Sequence, residues 1–250
     1  MSGPLCLYES RLNDAAPVAS TTAAGFDVLN LRDYRDFTFW KPTALPATIT
    51  VDCGSSKSAD YLAVYGHNLF TSGNTIEARK STDNFAANDV LVDTHTPVDN
   101  KPILRLFTST SSRYWRIRIL TGTVPTLAIA LLGARLEILA GVREGFDPLG
   151  REVKATQNRS VKGRALGKVL DFRQWKENVT FELLGWDWVR TVWRPAAEAS
   201  LEVQPWLFAW NPDTYPKEMY HVELDGAWQT PHRSGTYCDL QVPMIGLMPT

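Results

Sequence analysis

The chain has 250 residues, room for one large all-β domain or two smaller ones. At 44% hydrophobic and 21% charged residues its composition is that of a globular protein, which excludes global disorder. A formal net charge of −1 removes the strong basic field that non-specific nucleic-acid binding requires.

Met1 is followed by Ser-Gly-Pro, with no basic stretch leading into an apolar one, so no secretory leader is expected. Cys6, Cys53 and Cys238 are odd in number and widely spaced, which argues against zinc or a disulfide framework and for free, buried thiols. Period-two alternation predicts strands. Ile49, Val51 and Cys53 share one face of 48–53, and Cys53-Gly54-Ser55-Ser56 reads as the turn that ends it. Tyr61-Leu62-Ala63-Val64-Tyr65 is an apolar strand running into Gly66-His67-Asn68-Leu69, where Gly and Asn suit a chain leaving the sheet. Thr71-Ser72-Gly73-Asn74 is a second turn. Trp115, Ile117 and Ile119 alternate with Tyr114, Arg116 and Arg118. The longest apolar run, 127–133, is far too short to cross a bilayer, so no membrane insertion is expected.

A Gly-rich stretch over 140–150, with an Asp-Pro pair, follows the strand around Leu136 and Ile138 and reads as a domain boundary. Beyond it Arg151, Lys154, Arg159, Lys162, Arg164 and Lys168 form a local basic cluster, read as a solvated hairpin or a flexible arm. Val179, Phe181 and Leu183 alternate as a strand. Trp186, Val189, Val192 and Trp193 then recur at helical spacing, predicting a short amphipathic helix near 186–198 that Pro195 should end or kink. A strand with an aromatic face is the alternative there. Leu224-Asp225-Gly226 is a late turn.

The order of parts from Phe26–Asp33 through Trp40, Ile49–Gly54, Tyr61–Leu69, Ile76–Asp83 and Tyr114–Ile119 to Leu136 and Ile138 resembles the galactose-binding-domain-like sandwich. This is the discoidin, or coagulation factor 5/8 C-domain, family. The resemblance covers about residues 1–140 and implies a jelly-roll β-sandwich with a ligand contact at loops on one end. His67, Asn68, Phe70 and Asn74 stand at such loops. A lone histidine beside Asn in a turn also has a purely structural reading. Asp27, Asp33 and Asp36 do not make a calcium loop, and no cofactor or metal is expected.

From Gly163–Phe172 through Pro205-Trp206-Leu207-Phe208-Ala209-Trp210-Asn211-Pro212 to Pro216–Val222, the second half is similar to distal-tail and minor-tail proteins of long-tailed bacteriophages. That likeness implies a smaller tail-tube-like β-sandwich or barrel over 141–250 with one flanking helix, and a place at the virion tail tip or baseplate. It further implies synthesis in the host cytoplasm, a homo-oligomeric ring of threefold or sixfold symmetry, and tail-tube, hub and tape-measure proteins as partners. The domain order is the reverse of the commonest distal-tail arrangement. Trp206 and Trp210 are the candidate interface residues, since Trp favours interfaces, although a core role fits Trp equally.

The four histidines are scattered, and no HExxH pair, GxSxG elbow, phosphate loop or GxGxxG fingerprint is present. The carboxylate pairs Asp171 with Glu177 and Glu182 with Asp187 are ordinary for strand ends. The expectation is therefore a mostly-β, non-enzymatic structural virion component, with recognition of host cell-surface glycan as the alternative function.

Overall fold

The structure is a computed structural model and describes residues 2–247. Its strands are β1 (Leu5–Leu7), β2 (Val18–Ala19), β3 (Ala47–His67), β4 (Thr75–Ser81) and β5 (Val90–His95). They continue with β6 (Ile103–Leu120), β7 (Leu127–Gly133), β8 (Leu136–Glu137), β9 (Glu152–Arg159) and β10 (Ala165–Gly185). The last four are β11 (Trp206–Ala209), β12 (Met219–Leu224), β13 (His232–Ser234) and β14 (Tyr237–Leu247). A helix, α1, spans 186–201. Among the described residues the fold is mostly β, with one helix of any length. The described chain forms two compact units: residues 2–137 with 206–219, and residues 138–205 with 220–247.

The first unit is a β-sandwich whose strand pairings are all antiparallel. One sheet runs β2-β3-β6-β4-β5, with β7 pairing the second half of β3; β1 pairs both β8 and β11. Side-chain alternation along β3 serves two cores. Leu62 and Val64 join Trp40, Ile49, Val51, Trp115, Ile117 and Ile119 on one side. Tyr61, Ala63 and Tyr65 join Leu5, Leu7, Leu131, Leu207 and Ala209 on the other. Strand β7 is apolar at every position because it too is covered on both faces: Leu127, Ala130 and Leu132 enter the first core, and Ala128, Ile129 and Leu131 the second. Each large side chain buried here contributes about 1.5–3 kcal/mol.

The stretch 53–56 is not a turn between two strands. It is an exposed bulge inside the single strand β3, where pairing with β6 shifts between Asp52 and Lys57 and Gly54 takes a φ of +70°. The chain gains twist there without leaving the sheet, so turn-forming residues mark an irregularity rather than a strand end.

The second unit is an antiparallel sheet in which β14 pairs β12, β10 and β13, and β10 also pairs β9. Trp175 stacks on Tyr220 with ring centroids 4.8 Å apart, and Phe146 meets Trp175 edge-on at 6.1 Å. Val179 and Phe181 are buried as alternation requires, but Leu183 is exposed. A bulge between Phe181 and Leu184 puts Leu183 at φ +60° and turns Leu184 inward instead.

Helix α1 extends past Pro195 to Leu201. Its turns alternate between α-type, Trp186–Trp188 and Arg194–Ala196, and π-type, Val189–Trp193 and Ala197–Leu201. The π turn closes with the Arg194 N–H on the Val189 carbonyl, and Pro195, inside the continuous helix, has no N–H to donate to the turn before it. The buried stripe is Val189, Trp193, Ala196, Ala197 and Leu201, with Val192 on the outside. That stripe keeps the three- and four-residue spacing of an amphipathic helix.

Candidate recognition surface

Three loops of the first unit converge around the end of β3. The first, 68–74, joins β3 to β4; the second, 96–102, joins β5 to β6; the third, 121–126, joins β6 to β7. A Cβ on Gly122, itself at φ +76°, would lie 2.0 Å from the Ser72 carbonyl oxygen, so the first and third loops touch backbone to backbone.

His67 is a buried part of this frame. The Leu69 N–H donates to its Nδ1 at 3.3 Å, which leaves the proton on Nε2 to donate to the Lys101 carbonyl at 2.9 Å. Burial pushes the imidazole down to about 4, against the weaker opposing effects of the Lys101 bond and the Asp99 charge. The ring is thus neutral and fully engaged at ordinary pH. Asn68 is half-buried and its Oδ1 accepts from the Thr126 N–H at 2.7 Å. Asn74 is buried, and its Nδ2 donates to the carbonyls of Thr121 at 2.5 Å and Thr123 at 3.0 Å. These three residues hold the loops in place. Phe70 differs from them: its side chain is 50% exposed at the tip.

Asn100 and Asp99, which sequence reading passed over, organise the surface. Asn100 Oδ1 accepts from the N–H groups of Phe70 at 3.1 Å and Thr71 at 3.2 Å, and its Nδ2 donates to Thr71 Oγ1. Asp99 Oδ2 takes the ammonium of Lys217 at 2.6 Å, which holds its carboxyl below the usual carboxylate range. That ion pair ties the 96–102 loop to the loop after β11.

The loop after β11 carries a stacked pair, Trp210 and Tyr215, with centroids 5.3 Å apart and ring planes 22° from parallel. The Trp210 Nε1–H donates to Glu218 Oε2 at 2.7 Å, and the turn is closed by the Tyr215 N–H on the Asn211 carbonyl. Tyr215 is 45% exposed. Trp206, the other tryptophan expected at an interface, is wholly buried in β11 and is a core residue.

The structure therefore brings His67, Asn68, Phe70 and Asn74 into one loop cluster and ties the loop of Trp210 to it through Lys217 and Asp99. Trp206 is excluded from that surface. Among the described residues no group of three or more His, Cys, Asp or Glu side chains is placed to hold a metal ion. Cys6 and Cys238 are buried and Cys53 is half-buried, all three as free thiols, and burial pushes Cys6 and Cys53 up to about 12. Glu182 is bracketed by Arg143 and Arg233, each at 3.1 Å.

No family model matches the chain, and no curated protein matches it. Among solved structures, a Clostridium perfringens module, CpGH89CBM32-5 in complex with GalNAc-β-1,3-galactose, is 16% identical. It covers 51% of this chain and 99% of its own, with a TM-score of 0.43. Chitosan-binding module 1 from a chitosanase/glucanase of Paenibacillus sp. IK-5 is 21% identical over 50% of this chain and 98% of its own, with a TM-score of 0.42. The family 32 CBM of Clostridium perfringens NanJ, in complex with galactose, is 15% identical over 52% and 98%, with a TM-score of 0.42. Likeness of this degree transfers no binding residue to the present chain.

Proposed function

We propose that the first unit is a non-catalytic carbohydrate-recognition module that contacts cell-surface glycan through the loops around Phe70 and Tyr215. The observation that carries this reading is the Trp210–Tyr215 stack, whose partly exposed Tyr215 sits on a loop tied to the Asn100 loop by way of Lys217 and Asp99. An aromatic face offers apolar contact to the flat side of a sugar ring, and neighbouring amide and ammonium groups can meet its hydroxyls. The surface is open, so affinity should be weak, with Kd on the order of 1 mM. A glycan array followed by titration calorimetry on the full chain tests it. Tyr215→Ala should abolish binding while leaving the melt unchanged. Absence of any sugar binding by the wild-type chain at millimolar concentration would sink the reading.

A second reading, assembly into the tail tip of a long-tailed bacteriophage, is favoured by a different observation. The hairpin formed by β9 and the first half of β10 is exposed along its length and carries large apolar side chains, as an assembling subunit would. Electron microscopy of virions labelled with antibody to this chain tests that placement. Particles that lack the chain would remove it.

A further inference from the structure

In the second unit, β9 and residues 165–174 of β10 pair with each other from Arg159↔Ala165 to Glu152↔Gln174. Pairing of β10 with β14 begins only at Trp175↔Gly246. Among the described residues, 152–174 is thus a two-stranded ribbon, about 26 Å long at the usual strand rise. Leu166 is 70% exposed and Phe172 48%, and Val153, Val169 and Leu170 are exposed as well. An isolated two-stranded hairpin is marginal in water, and this one also leaves an open strand edge along β9.

Charge is divided just as sharply. Residues 151–174 hold seven basic side chains against two acidic ones, Glu152 and Asp171. The rest of the second unit, 138–150, 175–205 and 220–247, holds ten acidic side chains against five basic. Two ribbons laid edge to edge would bring like charges together, which disfavours ribbon-to-ribbon pairing. A ribbon laid on the acidic body of a different copy gains attraction and covers its apolar residues in one step. A groove of about 400 Å³ lies at the ribbon's base, between Phe172, Arg173 and Gln174 of the ribbon itself and Pro205, Val222 and Ile245 of the body.

We infer that the 152–174 ribbon docks on the second unit of another copy of this chain, one copy giving an arm and the next receiving it. Such a contact is heterologous, so it propagates around a ring or along a filament rather than stopping at a twofold dimer. The inference deepens the assembly reading and is independent of glycan recognition.

Sedimentation velocity of the full chain at rising concentration and at two salt levels tests it, alongside two variants. One replaces 154–172 by an Asn-Gly turn; the other is the full-length triple change Lys154→Glu, Arg164→Glu, Lys168→Glu. The wild-type chain should associate beyond a dimer and weaken at least about tenfold at high salt. Both variants should be monomeric where the wild type is associated. The inference is overturned by a wild-type chain monomeric up to ~0.1 mM, by a shortened variant that associates as well as wild type, or by association indifferent to the charge reversal. Should the shortened variant fail to melt cooperatively, the charge-reversed one decides. Sugar binding and virion labelling are read separately. Loss of the arm contact with the chain still present in particles would remove this inference and leave the assembly reading standing.

Discussion

Lys217 and Asp99 lie 118 positions apart in sequence and meet at 2.6 Å, linking the loop after β11 to the loop between β5 and β6. Both side chains are partly exposed, so the pair itself should contribute no more than about 1 kcal/mol to stability. Its value lies in position, because it fixes the Tyr215 loop relative to Asn100. Lys217→Ala is therefore expected to lower the melting temperature only slightly while weakening sugar binding several-fold. Parallel thermal melts and calorimetric titrations check this; a variant with unchanged binding would show that the bridge positions nothing.

His67 gives a pH prediction with a definite sign. Its folded-state value is pushed down to about 4, from an ordinary 6.5, so the unfolded chain binds a proton in that window and the folded chain does not. Stability from this residue is complete above about pH 6.5 and is lost as pH falls through about 4, to a total of roughly 3 kcal/mol. His67→Gln removes the titrating group. Urea denaturation between these limits should show a shallower decline for the variant than for wild type, and identical slopes would refute the assignment.

Much of this was legible where local pattern and tertiary setting agree. Trp115, Ile117 and Ile119 alternate and are buried as alternation demands. Elsewhere the setting overrode the pattern. Gly54 and its neighbours read as a turn, since a bulge uses the same residues. Leu183 alternates in sequence as an inward residue, because an inserted residue that flips the register leaves no trace in composition. Trp206 and Trp210 look alike in sequence and are told apart only by β11, which buries the first and ends before the second. Asn100 and Tyr215 sit in polar loops without periodicity, and the link between those loops, Lys217 to Asp99, spans 118 positions of the chain.

Gly122 supplies a local test of the loop frame. Its φ is +76°, and an added Cβ would collide with the backbone of Ser72 and Gly73 at 2.0 and 2.7 Å. Backbone cannot yield as a side-chain tip can, so Gly122→Ala should destabilise the chain by about 2 kcal/mol or more. Gly54→Ala has open space around it and should cost only about 1 kcal/mol for its left-handed conformation. Chemical denaturation of the two variants separates steric conflict from backbone strain. Equal losses would mean that the two loops do not touch as described.

The last prediction concerns what completes the first unit. Leu207, Ala209 and Met219 enter the core formed with Leu5, Leu7, Tyr61 and Leu131, and β11 pairs with β1 from Leu5↔Ala209 to Leu7↔Leu207. A fragment ending at residue 140 retains the larger core around Trp40 and Trp115 but leaves one side of the second core bare. Truncating one large buried apolar side chain typically costs about 2–5 kcal/mol, so losing this whole segment should exceed that. The fragment is expected to melt well below the full chain and to aggregate through the uncovered edge of β1. Restoring 206–219 through a flexible linker should recover a cooperative melt. If the bare fragment melts as a monomer at the temperature of the restored one, β11 contributes little to this unit's stability.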